Sequence, residues 1–123
     1  MAARVVVVLG PDLSEEMVAA LGKAGYEAIA PSDSMIALDA LEGAERVELL
    51  ITCLDFGEGK PNGIALARMA RHKRSNIAVI FVGPADFTRY SSGLGEYMEL
   101  PSTISDIMET ARRLLVEKGQ SGS

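Results

Sequence analysis

The sequence predicts an α/β fold: a parallel sheet with helices on both of its faces. Three observations carry that expectation. The segments 5–9, 49–54 and 77–82 are short runs of apolar residues, interrupted only by Thr52. Runs of that length and make-up read as strands buried on both faces. Between them lie segments whose apolar residues recur at helical spacing, and the two kinds alternate along the chain, as in βαβ units with right-handed crossovers.

Each element has its own warrant. Val5-Val6-Val7-Val8-Leu9 is a central strand, stopped by Gly10-Pro11. Asp12, three residues before Glu15, fits an N-cap with a capping box. Leu13, Met17, Ala20, Leu21 and Ala24 follow at helical spacing, and Gly25 suits the exit. Residues 26–30 alternate and form a short strand at a sheet edge. Pro31 to Ser34 is a turn, and Met35 to Leu41 a short helix with Ala37, Leu38 and Leu41 inward. Residues 49–54 are the third strand, and the loop 55–62 precedes a helix from Gly63 to Arg74 with Ile64, Leu66, Ala67 and Ala70 inward. That helix ends in Arg71-His72-Lys73-Arg74, where positive charge suits the dipole. Residues 77–82 are the fourth strand and Tyr97 to Leu100 the fifth, with room between them for one or two helical turns. Ser102 is placed to cap a last helix whose inner stripe is Ile104, Ile107, Met108, Ala111, Leu114 and Leu115. One domain over residues 4–117 is expected, with 118–123 as a flexible tail.

Composition excludes several classes. The chain has 123 residues, the size of one domain, and 48% of them are hydrophobic. With 5% aromatics and no Trp, the core must be aliphatic. The net charge of −5 argues against nucleic-acid binding, which needs a cationic field. One Cys and one His exclude an intrachain disulfide and zinc sites rich in Cys or His. No apolar stretch is long enough to span a membrane, and the run after Arg4 is too short for a signal-peptide core. A cytoplasmic location is the expectation. In such sheets, ligands sit beyond the C-terminal ends of the strands, here after Leu9, Cys53, Val82 and Leu100.

The order and spacing of the elements resemble a response-regulator receiver (CheY-like) domain. Arg4–Val8, Pro11-Asp12-Leu13 with Leu21 and Ala24–Glu27, Ala37-Leu38 with Leu41, Glu48–Thr52, Gly63–Arg68 and Tyr97–Pro101 carry the likeness. The resemblance implies a flavodoxin-like (βα)5 three-layer sandwich with strand order 2-1-3-4-5. The interval from Gly83 to Tyr97 is short for the family, which implies a shortened fourth helix.

Receivers phosphorylate themselves on an Asp. Their site holds Mg²⁺ with an acidic pair, because Mg²⁺ demands hard oxygen ligands. A hydroxyl and a Lys ammonium hold the transferred phosphoryl group. On this chain the acidic pair falls on Val8 and Leu9, the hydroxyl on Gly83 and the Lys on Leu100. The phosphoacceptor falls on Cys53 by strand register or on Asp55 by loop length, and register, fixed by packing, favours Cys53. Val8, Leu9 and Leu100 are expected to be buried where the family has a hydrated cation.

Each candidate has a plainer reading. Cys53 reads first as a buried strand residue, and a redox role would need exposure and a lowered pKa. Asp55 reads as a loop or capping acid, with residual phosphoacceptor and, with Glu58, metal-ligand roles beside it. Asp12 is a cap before it is a lone metal ligand. Gly57-Glu58-Gly59-Lys60 is a fragment of a phosphate loop, lacking the full spacing and the hydroxyl after Lys. Arg68, Arg71, His72, Lys73 and Arg74 form a solvated helix end or a patch for an acidic protein partner. Tyr97 packs at the strand or meets a partner. The expectation is a stand-alone signalling module that contacts a sensor kinase or another regulator, or pairs with itself near Tyr97. It would work without cofactor or catalysis. Self-phosphorylation on Asp55 with Mg²⁺ is the alternative.

Overall fold

Alternation along three adjacent apolar strands sorts their side chains onto two faces, and each face needs cover. The computed structural model describes residues 4–31, 47–54, 63–74, 76–84, 88 and 93–121. In chain order its elements are β1 (Arg4–Val8), α1 (Pro11–Lys23), β2 (Glu27–Ile29), β3 (Leu49–Cys53), α2 (Gly63–Lys73), β4 (Ala78–Gly83), β5 (Glu96–Glu99) and α3 (Ile104–Ser121). The strands form one sheet of order β2-β1-β3-β4-β5, and every pairing is parallel. This is the architecture the sequence implied, with the alternating 26–30 segment at an edge. The short helix expected at 35–41 and the shortened helix expected before β5 fall outside the described residues.

Val5, Val7, Leu49, Ile51, Ile80 and Val82 point to one face, where Met17 and Leu21 of α1 and Ile107, Met108, Ala111 and Leu115 of α3 cover them. Val6, Val8, Leu50, Val79 and Phe81 point to the other, against Leu66, Ala67 and Ala70 of α2. The buried stripe of α3 is the one its spacing predicts. Fully burying a side chain of the Val, Leu or Phe kind contributes about 1.5–3 kcal/mol, so this layering is the main source of stability.

Three boundaries differ from the sequence reading. Gly10, not Asp12, is the N-cap of α1: Pro11 takes the first helical position and Asp12 lies exposed in the first turn. Proline fits there because its fixed φ suits the helix and its missing N–H would have no helical partner. The end is secured from inside instead, where buried Ser14 accepts the Leu9 N–H on its Oγ at 3.0 Å. At α3 the cap is Thr103 rather than Ser102. Thr103 Oγ1 accepts the Asp106 N–H at 3.0 Å, and Asp106 Oδ2 accepts the Thr103 N–H at 3.3 Å. Ser102 instead donates to the Glu99 carbonyl. Finally, α3 runs to Ser121, beyond the boundary at 117.

Glycines fix two close approaches. A side chain on Gly63 would overlap the Cys53 carbonyl, and the Gly63 N–H donates to the Leu54 carbonyl at 2.8 Å. A side chain on Gly95 would likewise meet the Val79 carbonyl. At the exit of α1, Gly25 takes φ +94° while the Gly25 and Tyr26 amides return to the Gly22 and Leu21 carbonyls, a Schellman close.

Candidate functional site

Parallel pairing brings the ends of β1, β3, β4 and β5 together in a row. Val8 pairs with Thr52, Thr52 with Phe81 and Phe81 with Tyr97. One step further, Cys53 lies beside Val82 and Val82 beside Met98, and Gly83 is paired with Glu99. The Leu100 N–H then donates to the Gly83 carbonyl at 2.9 Å. The structure thus gathers Val8, Cys53, Gly83 and Leu100 at one end of the sheet, with Leu9 just past β1.

Their surroundings are not alike. Val8 is 6% exposed and packs in the α2-side core. Leu9 is half-buried against the opposite core, and its amide is taken by Ser14. Cys53 is half-buried rather than sealed in the strand. Thr52 beside it is fully buried and donates its hydroxyl to the Cys53 carbonyl at 2.9 Å. Leu100 departs from expectation: it is 49% exposed. It follows an edge strand, where one flank of the sheet has no neighbouring strand to cover it. The Leu100–Pro101 peptide bond is cis.

Mg²⁺ in a receiver site needs several oxygen ligands converging on one point. Val8 and Leu9 offer none from their side chains. Among the described residues, no three His, Cys, Asp or Glu side chains come together. Asp12 is exposed on α1. Asp55 and Glu58, with the rest of the 57–60 glycine loop, lie outside the described residues.

On the β5 side the geometry is built around an aromatic ring. Tyr97 is half-buried, donates its hydroxyl to the Pro84 carbonyl at 2.5 Å and lies against Phe81, with ring centroids 6.5 Å apart. A β-carbon on Gly83 would lie 2.7 Å from the Tyr97 hydroxyl oxygen. The resemblance links the two positions, a hydroxyl at 83 and a switch aromatic at 97, and with Gly83 that coupling lacks its first link. The register sets Phe81 opposite Tyr97 and Gly83 opposite Glu99.

The basic helix end is divided. Arg68, His72 and Lys73 are exposed. Arg71 is half-buried, its Nη2 donates to the Leu94 carbonyl at 2.8 Å, and it ties α2 to the segment entering β5. Arg74 is also half-buried. None of these residues lies among those gathered at the strand ends.

No family model matches the sequence, and comparison with the curated proteins finds no match. Solved structures do match. A CheY-like response regulator receiver domain protein from Methanospirillum hungatei is 19% identical, with a TM-score of 0.86 over 98% of this chain and 99% of that one. The response regulator TrrA from Thermotoga maritima, in complex with Mg²⁺-BeF, is 20% identical, with a TM-score of 0.78 over 91% and 98%. The receiver domain of the hybrid histidine kinase CckA is 23% identical, with a TM-score of 0.74 over 92% and 99%. The fold of this chain is the one shared by the CheY-like response-regulator receiver domains.

Proposed function

We propose that this chain is a receiver-like signalling domain of a two-component-type system that works through protein contact and without phosphorylation. One observation carries the reading. At the strand ends, where receiver chemistry requires oxygen ligands, a hydroxyl and an ammonium, the chain places Val8, Leu9, Gly83 and Leu100. Val8 is packed into core, and the space beside Gly83 is taken by the Tyr97 hydroxyl. TrrA shares the fold and takes Mg²⁺-BeF. The described strand ends of this chain lack the groups for such a complex, so no cofactor belongs to the proposal.

The partner is a sensor kinase or another regulator, or a second copy of the chain meeting near Tyr97. A location in the cytoplasm goes with that role. Among the described residues no helix is long and apolar enough to cross a membrane.

The test is incubation with a small phosphodonor and Mg²⁺, followed by intact mass. No phosphoryl adduct is expected. A stable adduct overturns the proposal, and its loss in Asp55→Asn would assign the chemistry to that residue instead.

A further inference from the structure

We propose that the outer face of α2 is a docking surface for an acidic segment of a protein partner, one that lays an apolar side chain on Met69. The inference rests on the protein-contact reading just given, and it names the chemistry of the partner and the surface that meets it.

Charge is unevenly divided along this chain. It carries twelve Lys and Arg against seventeen Asp and Glu. Four of those cations, Arg68, Arg71, Lys73 and Arg74, fall between positions 63 and 74 beside His72, and no acid falls there. The helix dipole accounts for part of this, since Arg71, His72 and Lys73 lie in the last turn. It does not account for Arg68, which stands in the middle of α2. Packing does not account for it either. Arg68, His72 and Lys73 are exposed, whereas Arg71 turns to the Leu94 carbonyl.

Met69 gives the face its second feature. It is a large apolar side chain left 41% exposed. Helical spacing sets His72 three residues and Lys73 four residues beyond it, so both border it on the surface, and Arg68 borders His72 in turn. Half-buried Ala65, four residues before Met69, is too small to cover it. An apolar centre inside a charged rim is the make-up of a protein-contact surface, and a methionine adapts its flexible chain to what it meets. A rim of cations without an acid on the same helix is complementary to an acidic partner. Nucleic acid is the poorer match, because the chain as a whole carries a net charge of −5.

Fluorescence anisotropy on the full chain tests this, with a labelled Glu-rich peptide carrying one Leu as the probe. Binding should weaken as salt rises, because exposed charges are screened. The same peptide with Gln in place of Glu should not bind. Arg68→Glu should weaken binding by about tenfold, since like charge then faces like charge. Met69→Ser should weaken binding of the Leu-bearing peptide and leave a Leu-free Glu-rich peptide unaffected. Both positions are exposed, so both variants should keep the melting midpoint of the parent chain. No binding of the Glu-rich peptide, equal binding of its Gln form, or binding untouched by Arg68→Glu overturns the proposal. So does tighter binding to a DNA duplex, which would assign the face to a phosphate backbone. A phosphoryl adduct in the mass measurement would overturn the proposed function without changing any of these affinities, so the two failures are told apart.

Discussion

The β1 end and the β5 end of the strand row hold their apolar residues in physically different surroundings. At β1, Val8 is 6% exposed and continues the α2-side core. At β5, Leu100 is 49% exposed, and Gly83 leaves a space that Tyr97 enters. One half is sealed by packing, while the other is rearranged around a polar contact and left as surface. Apolar side chains at one end of a sheet can thus differ in exposure, and only the exposed half is available to a partner.

The sharpest way to break this contrast is to put charge into each half. Val8→Asp places a carboxylate in a packed site with no partner group, and should destabilise the fold by roughly 3 kcal/mol or more in urea denaturation. A loss under about 1 kcal/mol would mean that the β1 end is not sealed, because surface changes usually have small effects.

A smaller effect tests what secures that sealed end. Ser14→Ala removes the acceptor for the Leu9 amide and should cost about 1–2 kcal/mol by the same measurement. Asp12→Ala should stay within about 0.5 kcal/mol, since Asp12 is exposed and caps nothing. The reverse ranking would restore Asp12 as the residue that starts α1.

The smallest effect belongs to the open half. Leu100→Lys, which places an ammonium where receivers have one, should change stability by no more than about 0.5 kcal/mol. A large loss would show Leu100 to be core after all and erase the difference between the two ends.

The same contrast explains what sequence alone could disclose. The inner strands were legible because an unbroken apolar run has few places to go except the middle of a covered sheet. The α3 stripe was legible because its spacing allows one buried face. Leu100 was misread since an apolar residue carries no mark of whether a neighbour covers it, and edge positions often lack one. The caps were missed by one or two residues. Gly10-Pro11 starts α1 through the fixed φ of proline with no side-chain cap, and Thr103 is chosen by a local hydrogen bond that its neighbour Ser102 could equally make. Ser14 shares a helical face with Met17 and Leu21, so its burial could have been read from spacing. Its polarity drew attention away from that. The resemblance linked Gly83 with Tyr97, but the close approach of the hydroxyl to Gly83 needed the strand register, which packing between distant segments decides.

The bond from the Gly63 amide to the Leu54 carbonyl has an evolutionary consequence. The chain leaves β3 and enters α2 at nearly one point, so both ends of the intervening span are already anchored. Residues added between those anchors leave β3 and α2 where they are. Doubling the length of such a span costs only about 0.6 kcal/mol of closure entropy. The span between those two anchors can therefore change in length without disturbing the scaffold on either side of it.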